Sequence, residues 1–230
     1  MKPLFIANWK MNPRNSKDAF DLAKAVAREL EDVEVDVVLC PPFVYVPQLL
    51  PSPNVFIGAQ DAFWKQEGAY TGEVSPHMLK NLGCSHVILG HSERRKLGET
   101  SKMVAKKVQA VLDVSLIPVV CIGESIEQDM NIILKDIKKA DVSKIVFVYE
   151  PEGAISTEPN GQQASLEQLE RALDRMRRLL PKVAPLLYGG SVNSKNIQGF
   201  MGKGVQGVLV GAASLHAQEF IRLVKNAILR

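Results

Sequence analysis

His86-Val87-Ile88-Leu89-Gly90-His91-Ser92-Glu93-Arg94 begins as an apolar, strand-like run and turns polar at once. A core strand needs only apolar residues, so a histidine, an acid and a cation directly behind one require another explanation. The same change recurs four times. Short apolar runs lead into Asn8-Trp9-Lys10, Tyr149-Glu150-Pro151, Tyr188-Gly189-Gly190-Ser191 and Val210-Gly211-Ala212. In a barrel of parallel strands all carboxyl ends open on one face, and that face carries active sites. The five exits would then converge on one pocket.

Outward from these exits, apolar runs alternate with amphipathic stretches. The runs are Leu4–Ala7, Val35–Cys40, Val55–Ala59, His86–Leu89, Leu116–Ile122, Ile145–Tyr149, Leu186–Tyr188 and Val205–Val210. Most are continuous rather than alternating and rich in Val, Ile and Leu, as parallel strands covered on both faces should be. Between them lie helical stripes. Leu166, Leu169, Leu173, Met176 and Leu180 recur at three- and four-residue spacing, with Ser165 and Gln168 forming a capping-box start and Pro181 behind the end. Val104, Val108, Val111 and Leu112 make a second stripe, and Phe220, Leu223, Val224 and Ala227 a third. No low-complexity linker interrupts the series, so residues 1–230 read as one domain. Strand–helix alternation alone also fits an open doubly wound sheet. A dinucleotide-binding sheet of that kind usually carries Gly-x-Gly-x-x-Gly after its first strand, where this chain has Asn8-Trp9-Lys10-Met11-Asn12. The count of runs and the placement of the polar exits favour a closed (β/α)8 barrel of eight parallel strands surrounded by helices.

Composition bounds the partners. The chain is 46% hydrophobic with a net charge of +3, ample for one large core and only mildly basic. Arg171, Arg175, Arg177 and Arg178 alternate with Glu167, Glu170 and Asp174 on one helix, the pattern of a solvated face rather than of a nucleic-acid site. No apolar run approaches the roughly 18 residues that span a bilayer, and Met1-Lys2-Pro3 leads directly into a strand. Cys40, Cys84 and Cys121 are odd in number, widely spaced and set in apolar stretches, as small hydrophobes rather than metal ligands. A reducing cytoplasm suits them.

Taken singly, the polar residues at the exits are ordinary: a strand-end glutamate is usually salt-bridged, a histidine beside apolar residues usually structural. Together, a base (Glu150), a polarising imidazole (His91) and a cation (Lys10, beside Asn8) describe a proton-transfer site. Two glycine turns would supply its phosphate cradle, Gly190 with Ser191 after the seventh run and Gly211 with Ala212 after the eighth. Ala7-Asn8-Trp9-Lys10-Met11-Asn12, Gly68-Ala69-Tyr70-Thr71-Gly72-Glu73, Gly90-His91-Ser92-Glu93-Arg94-Arg95, Cys121-Ile122-Gly123-Glu124, Tyr149-Glu150-Pro151, Tyr188-Gly189-Gly190-Ser191-Val192 and Val208–Leu215 then follow, in order, the motifs of one family. The chain resembles the triosephosphate isomerases nearly end to end.

That resemblance implies the TIM-barrel fold and interconversion of D-glyceraldehyde 3-phosphate and dihydroxyacetone phosphate through an enediolate, in glycolysis and gluconeogenesis, with no metal or organic cofactor. Glu150 would move the proton. His91 would donate to the oxygens as a neutral imidazole at the head of a helix starting at Ser92. Lys10 would neutralise phosphate and oxyanion, with Asn8 as a further donor and Glu93 supporting Lys10. Asp61–Val74 resembles the loop that enters a neighbouring subunit, with Thr71 at its tip and Glu73 placed to pair with Arg94; this implies a homodimer. Three departures stand out. Glu152-Gly153 and Ser156 occupy the lid where the family usually has a tryptophan and a phosphate-binding glycine, so Ser156 would have to bind phosphate through its N–H, and closure is expected to weaken. Ala212 replaces a usual glycine. The segment Glu127–Lys139 is shorter than is common. The alternatives are a non-catalytic or impaired paralogue that binds phosphorylated ligands with an altered lid, and a barrel enzyme for a larger sugar phosphate.

Overall fold

The computed structural model describes residues 2–49, 51–151 and 165–229. Its sheet is a closed barrel in sequence order, every pairing parallel. The strands are β1 (Leu4–Asn8), β2 (Asp36–Cys40), β3 (Val55–Ala59), β4 (His86–Leu89), β5 (Ile117–Ile122), β6 (Val146–Tyr149), β7 (Leu186–Tyr188) and β8 (Gly207–Val210). Closure runs from Leu4 opposite Gly207 to Ala7 opposite Val210. Each apolar run becomes a strand, with some ends trimmed: Val35, Leu116, Ile145, Val205 and Gln206 precede the ladders instead of joining them.

The continuous apolar character of the strands has a geometric cause. Successive side chains point to opposite faces, and both faces are buried. Leu4, Ile6, Val38, Cys40, Ile88, Val119, Cys121, Val146, Val148, Leu187 and Leu209 fill the barrel interior as one cluster. Their neighbours in sequence, such as Phe5, Ala7, Phe147 and Tyr149, join a second and larger cluster under the helices. From the outside the stripes of helices Ser101–Asp113 and Ala217–Ile228 supply fully buried Val104, Val108, Val111, Phe220, Leu223 and Val224.

Helix Leu166–Leu179 starts with the expected capping box: the Ser165 hydroxyl accepts from Gln168 N–H, and the Gln168 side chain accepts from Ser165 N–H. Of its stripe, Leu169, Leu173 and Met176 are buried, whereas Leu166 stays 40% exposed. Leu166 is the first helical residue and lies a turn short of the packed face. The charged face of this helix is solvated and paired: Arg171 reaches Glu167, and Arg175 bonds Glu127. Among the described residues, no helix is long and apolar enough to cross a membrane.

Candidate active site

Alternation along the strands decides which exit residues enter the mouth of the barrel. Leu4 and Ile6 point inward, so Asn8 and Lys10 continue on that face. Val146 and Val148 do the same for Glu150, Leu187 for Gly189, and Leu209 for Gly211. Lys10 is held in the left-handed region, φ 53°, which costs a non-glycine residue of order 1–3 kcal/mol. Two side chains hold it there. Asn8 Oδ1 accepts from Lys10 N–H at 3.0 Å, and Gln60 Nε2 donates to the Lys10 carbonyl at 2.8 Å. The ammonium thereby reaches Glu93 Oε1 at 2.7 Å.

His91 is the N-cap of helix Ser92–Lys96, and its Nδ1 accepts from Glu93 N–H at 3.2 Å. A ring nitrogen that accepts cannot carry a proton, so the imidazole is neutral and its hydrogen sits on Nε2. The second Glu93 carboxylate oxygen is 3.9 Å from Nδ1, too far for a hydrogen bond that would argue otherwise. Nε2 lies 3.0 Å from Glu150 Oε1. Both groups are buried, at 4% and 3% exposure. Ser92 gives Glu150 two further bonds, from its N–H to Oε2 and from its hydroxyl to Oε1, each at 2.9 Å. Burial pushes the Glu150 carboxyl up, but the His91 and Ser92 donors together outweigh it and hold the group below its ordinary value.

The two glycine turns lie beside these residues. A Cβ on Gly190 would stand 2.1 Å from the hydroxyl of the fully buried Tyr188, so any side chain here would have to displace that ring. At Gly211 a Cβ would meet Lys10 Cε at 3.3 Å, which places the strand-eight turn against the lysine. Ala212 begins the 3-10 turn Ala212–Leu215, tied by Ser214 Oγ donating to the Gly211 carbonyl at 2.7 Å. Ser191, half-buried, follows Gly190. A pocket of about 230 Å³ lined by Gly90, Ser92, Arg95, Lys96, Gly123 and Glu150 adjoins the carboxylate.

Asn8, Lys10, His91, Glu93 and Glu150 thus come together, with Gly211 in contact with the group and the Gly190 turn beside Glu150. The lid positions Glu152, Gly153 and Ser156 lie outside the described residues. Reading the sequence missed two neighbours. Gln60 also follows a strand, β3, and would have been found by treating that exit like the other five. Ser92 was read only as a helix start, and its bonds to Glu150 span 58 residues of sequence. Within one chain Arg94 pairs with Asp61 at 2.9 Å rather than with Glu73, which is exposed. The cysteines are buried, and burial pushes Cys84 up to about 11 and Cys40 and Cys121 well above the usual thiol range. Among the described residues no cluster of His, Cys, Asp or Glu has the makings of a metal site.

A closed parallel barrel with an imidazole and a carboxylate in contact at its carboxyl mouth is the architecture of the α/β-barrel enzymes, and this chain falls in that class. Residues 3–227 match the family described as Triosephosphate isomerase. A Dehalococcoides mccartyi protein named triosephosphate isomerase is 39% identical over 251 aligned residues, covering 99% of this chain and 97% of that protein. Relatives of the same name from Caldanaerobacter subterraneus subsp. tengcongensis and Alkaliphilus oremlandii are 37% and 39% identical, each over 97% of this chain and 98% of their own length. The chain belongs to the triosephosphate isomerase family.

Proposed function

We propose that this protein interconverts D-glyceraldehyde 3-phosphate and dihydroxyacetone phosphate by moving one proton between adjacent carbons through an enediolate. What supports this most is the contact of His91 with Glu150: a neutral imidazole with its proton on Nε2, facing a carboxylate. Glu150 is the base. In its resting position it is held by Ser92, and that same bonding weakens it, so substrate must draw it off Ser92 toward the carbon. Losing those donors in a drier setting raises its basicity. His91 donates Nε2–H to the carbonyl oxygen. Lys10, supported by Glu93, balances the oxyanion and the phosphate, with Asn8 beside it. The phosphate rests on the N–H groups of Gly190, Ser191, Gly211 and Ala212, with Ser156 contributing from the lid. No metal or organic cofactor is required, because the substrate's own carbonyl acidifies the proton. A coupled assay with glyceraldehyde 3-phosphate tests the reading. Turnover upholds it, and phosphoglycolate binding without turnover would leave only the non-catalytic paralogue.

The same reading makes the chain one domain over residues 1–230, cytoplasmic, and a homodimer through the 61–74 loop. Supporting the dimer, the loop is closed at its base by Phe63 N–H to the Val74 carbonyl at 2.8 Å, while residues 65–73 stay exposed. Met11, Val44 and Leu97 are 92%, 70% and 79% exposed, much apolar surface for a lone chain. Arg94 Nε is buried without a hydrogen-bond partner among the described residues, and a partner's Glu73 would serve it. Shortening Asp61–Val74 should give a monomer of poor activity by sedimentation and assay; a fully active dimer would end this role for the loop.

A further inference from the structure

A backbone that binds an anion must turn N–H groups toward it and keep its carbonyl oxygens, which carry the opposite partial charge, engaged elsewhere. In both glycine turns of the site a side chain takes up a carbonyl. After β8, the Gly211 carbonyl accepts from Ser214 Oγ at 2.7 Å and from Ser214 N–H at 2.8 Å. Ser214 is fully buried. After β7, the Ser191 carbonyl accepts from Asn196 Nδ2 at 3.0 Å. The orientation of the Asn196 amide follows from its partners: Oδ1 accepts from Asn193 N–H at 2.8 Å, so the nitrogen must face the carbonyl.

These bonds reach the N–H groups through the geometry of the peptide plane. In a trans peptide, C=O and N–H are coplanar and point in opposite directions. The Gly211 carbonyl and the Ala212 N–H share one plane, so holding the oxygen also aims the hydrogen. The Ser191 carbonyl lies in the plane that follows the Ser191 N–H. The Asn196 amide therefore fixes ψ at Ser191 and keeps that oxygen from swinging toward an anion. Three residues farther on, the Ser194 carbonyl accepts from Asn226 Nδ2 at 2.8 Å, a bond of the same kind outside the turn.

We propose that Asn196 and Ser214 are positioning residues for the substrate's phosphate. They touch no reacting atom. They hold the carbonyls of Ser191 and Gly211 away from the phosphate, so that the N–H groups of the two turns face it. This rests on the triose phosphate reading above.

Two measurements on the full chain read the effect: phosphoglycolate binding by calorimetry, and turnover of glyceraldehyde 3-phosphate against D-glyceraldehyde, the same aldose without phosphate. Asn196→Leu, neutral and of similar size, should weaken phosphoglycolate about five- to tenfold, the effect of one hydrogen bond lost. It should lower kcat/KM for glyceraldehyde 3-phosphate by a similar factor. Ser214→Ala keeps the Ser214 N–H on the same carbonyl and should weaken binding about two- to fourfold. It carries the test if Asn196→Leu does not fold. D-glyceraldehyde brings no phosphate to the turns, so its turnover should stay within about twofold in both variants. Asn226→Leu should leave phosphoglycolate affinity within about twofold, as for a bond outside the turns. The proposal is overturned by unchanged phosphoglycolate affinity in the folded variants, by equal losses for the two aldoses, or by a loss in Asn226→Leu as large as in Asn196→Leu. An unaltered protein that binds phosphoglycolate without turnover would overturn the reaction alone, and the calorimetric comparison would still decide the positioning. Absence of phosphoglycolate binding in the unaltered protein would overturn both.

Discussion

His91 and His86 stand at opposite mouths of one barrel, the first just beyond β4 and the second at its first residue. Both are buried, yet their surroundings differ. At His91 a backbone N–H points at Nδ1, which leaves the proton on Nε2 and makes the ring a donor toward Glu150. At His86 the neighbour on Nδ1 is the Ser85 hydroxyl at 2.8 Å, and the ring lies against Phe56, with no carboxylate bonded to it among the described residues. The residue type is the same; what each ring can do is set by the groups its neighbours bring to it.

That contrast can be broken at several points. The largest effect is expected from His91→Ala, which deletes a preorganised donor and should lower kcat by about 10²–10³-fold; a fall below tenfold would remove His91 from the proposed chemistry. Glu150→Asp withdraws the carboxylate by one methylene and should lower turnover about 10²-fold. Phosphoglycolate affinity should change far less, and unaffected turnover would show that Glu150 is not the base. A smaller change is expected from Ser92→Ala. It removes one of the donors that hold the Glu150 carboxyl low, so that pKa rises and the acid limb of the kcat/KM profile moves to higher pH. The retained Ser92 N–H keeps the shift partial. A limb that stays put, or moves to lower pH, contradicts the assignment. The smallest effect belongs to the opposite mouth: His86→Leu should leave kcat/KM within about twofold, as for distant uncoupled sites. A larger loss would mean that the two ends of β4 communicate.

Much of this arrangement was legible in the sequence, for a physical reason. Parallel strands covered on both faces are apolar without interruption, so β1 to β8 stood out as runs, and polar residues behind them marked the exits. Helix starts were legible where the cap is local, as with Ser165 and Gln168. What stayed hidden depends on distant contacts. The Ser92–Glu150 bonds join loops far apart in the chain, and no local pattern encodes them. Gln60 looks like any polar residue after a strand until Lys10 is seen in its strained conformation. His86 reads as one more member of an apolar run, since its contacts with Ser85 and Phe56 cannot be inferred from spacing. The starts of β2, β5, β6 and β8 were off by one or two residues because apolar character begins before the first residue of the ladder.

The alternation that sends Leu4 and Ile6 inward also makes β1 intolerant of insertions in a specific way. One added residue between Leu4 and Asn8 would exchange the faces of everything beyond it, carrying Lys10 toward the helices and the buried Trp9 into the mouth. Two added residues would restore the faces but push the lysine roughly 7 Å farther along the strand axis, out of reach of Glu93. Length variation among such barrels should therefore collect in the outer helices and their connections, and the segments from Leu4 to Lys10 and from Val146 to Glu150 should keep a constant count.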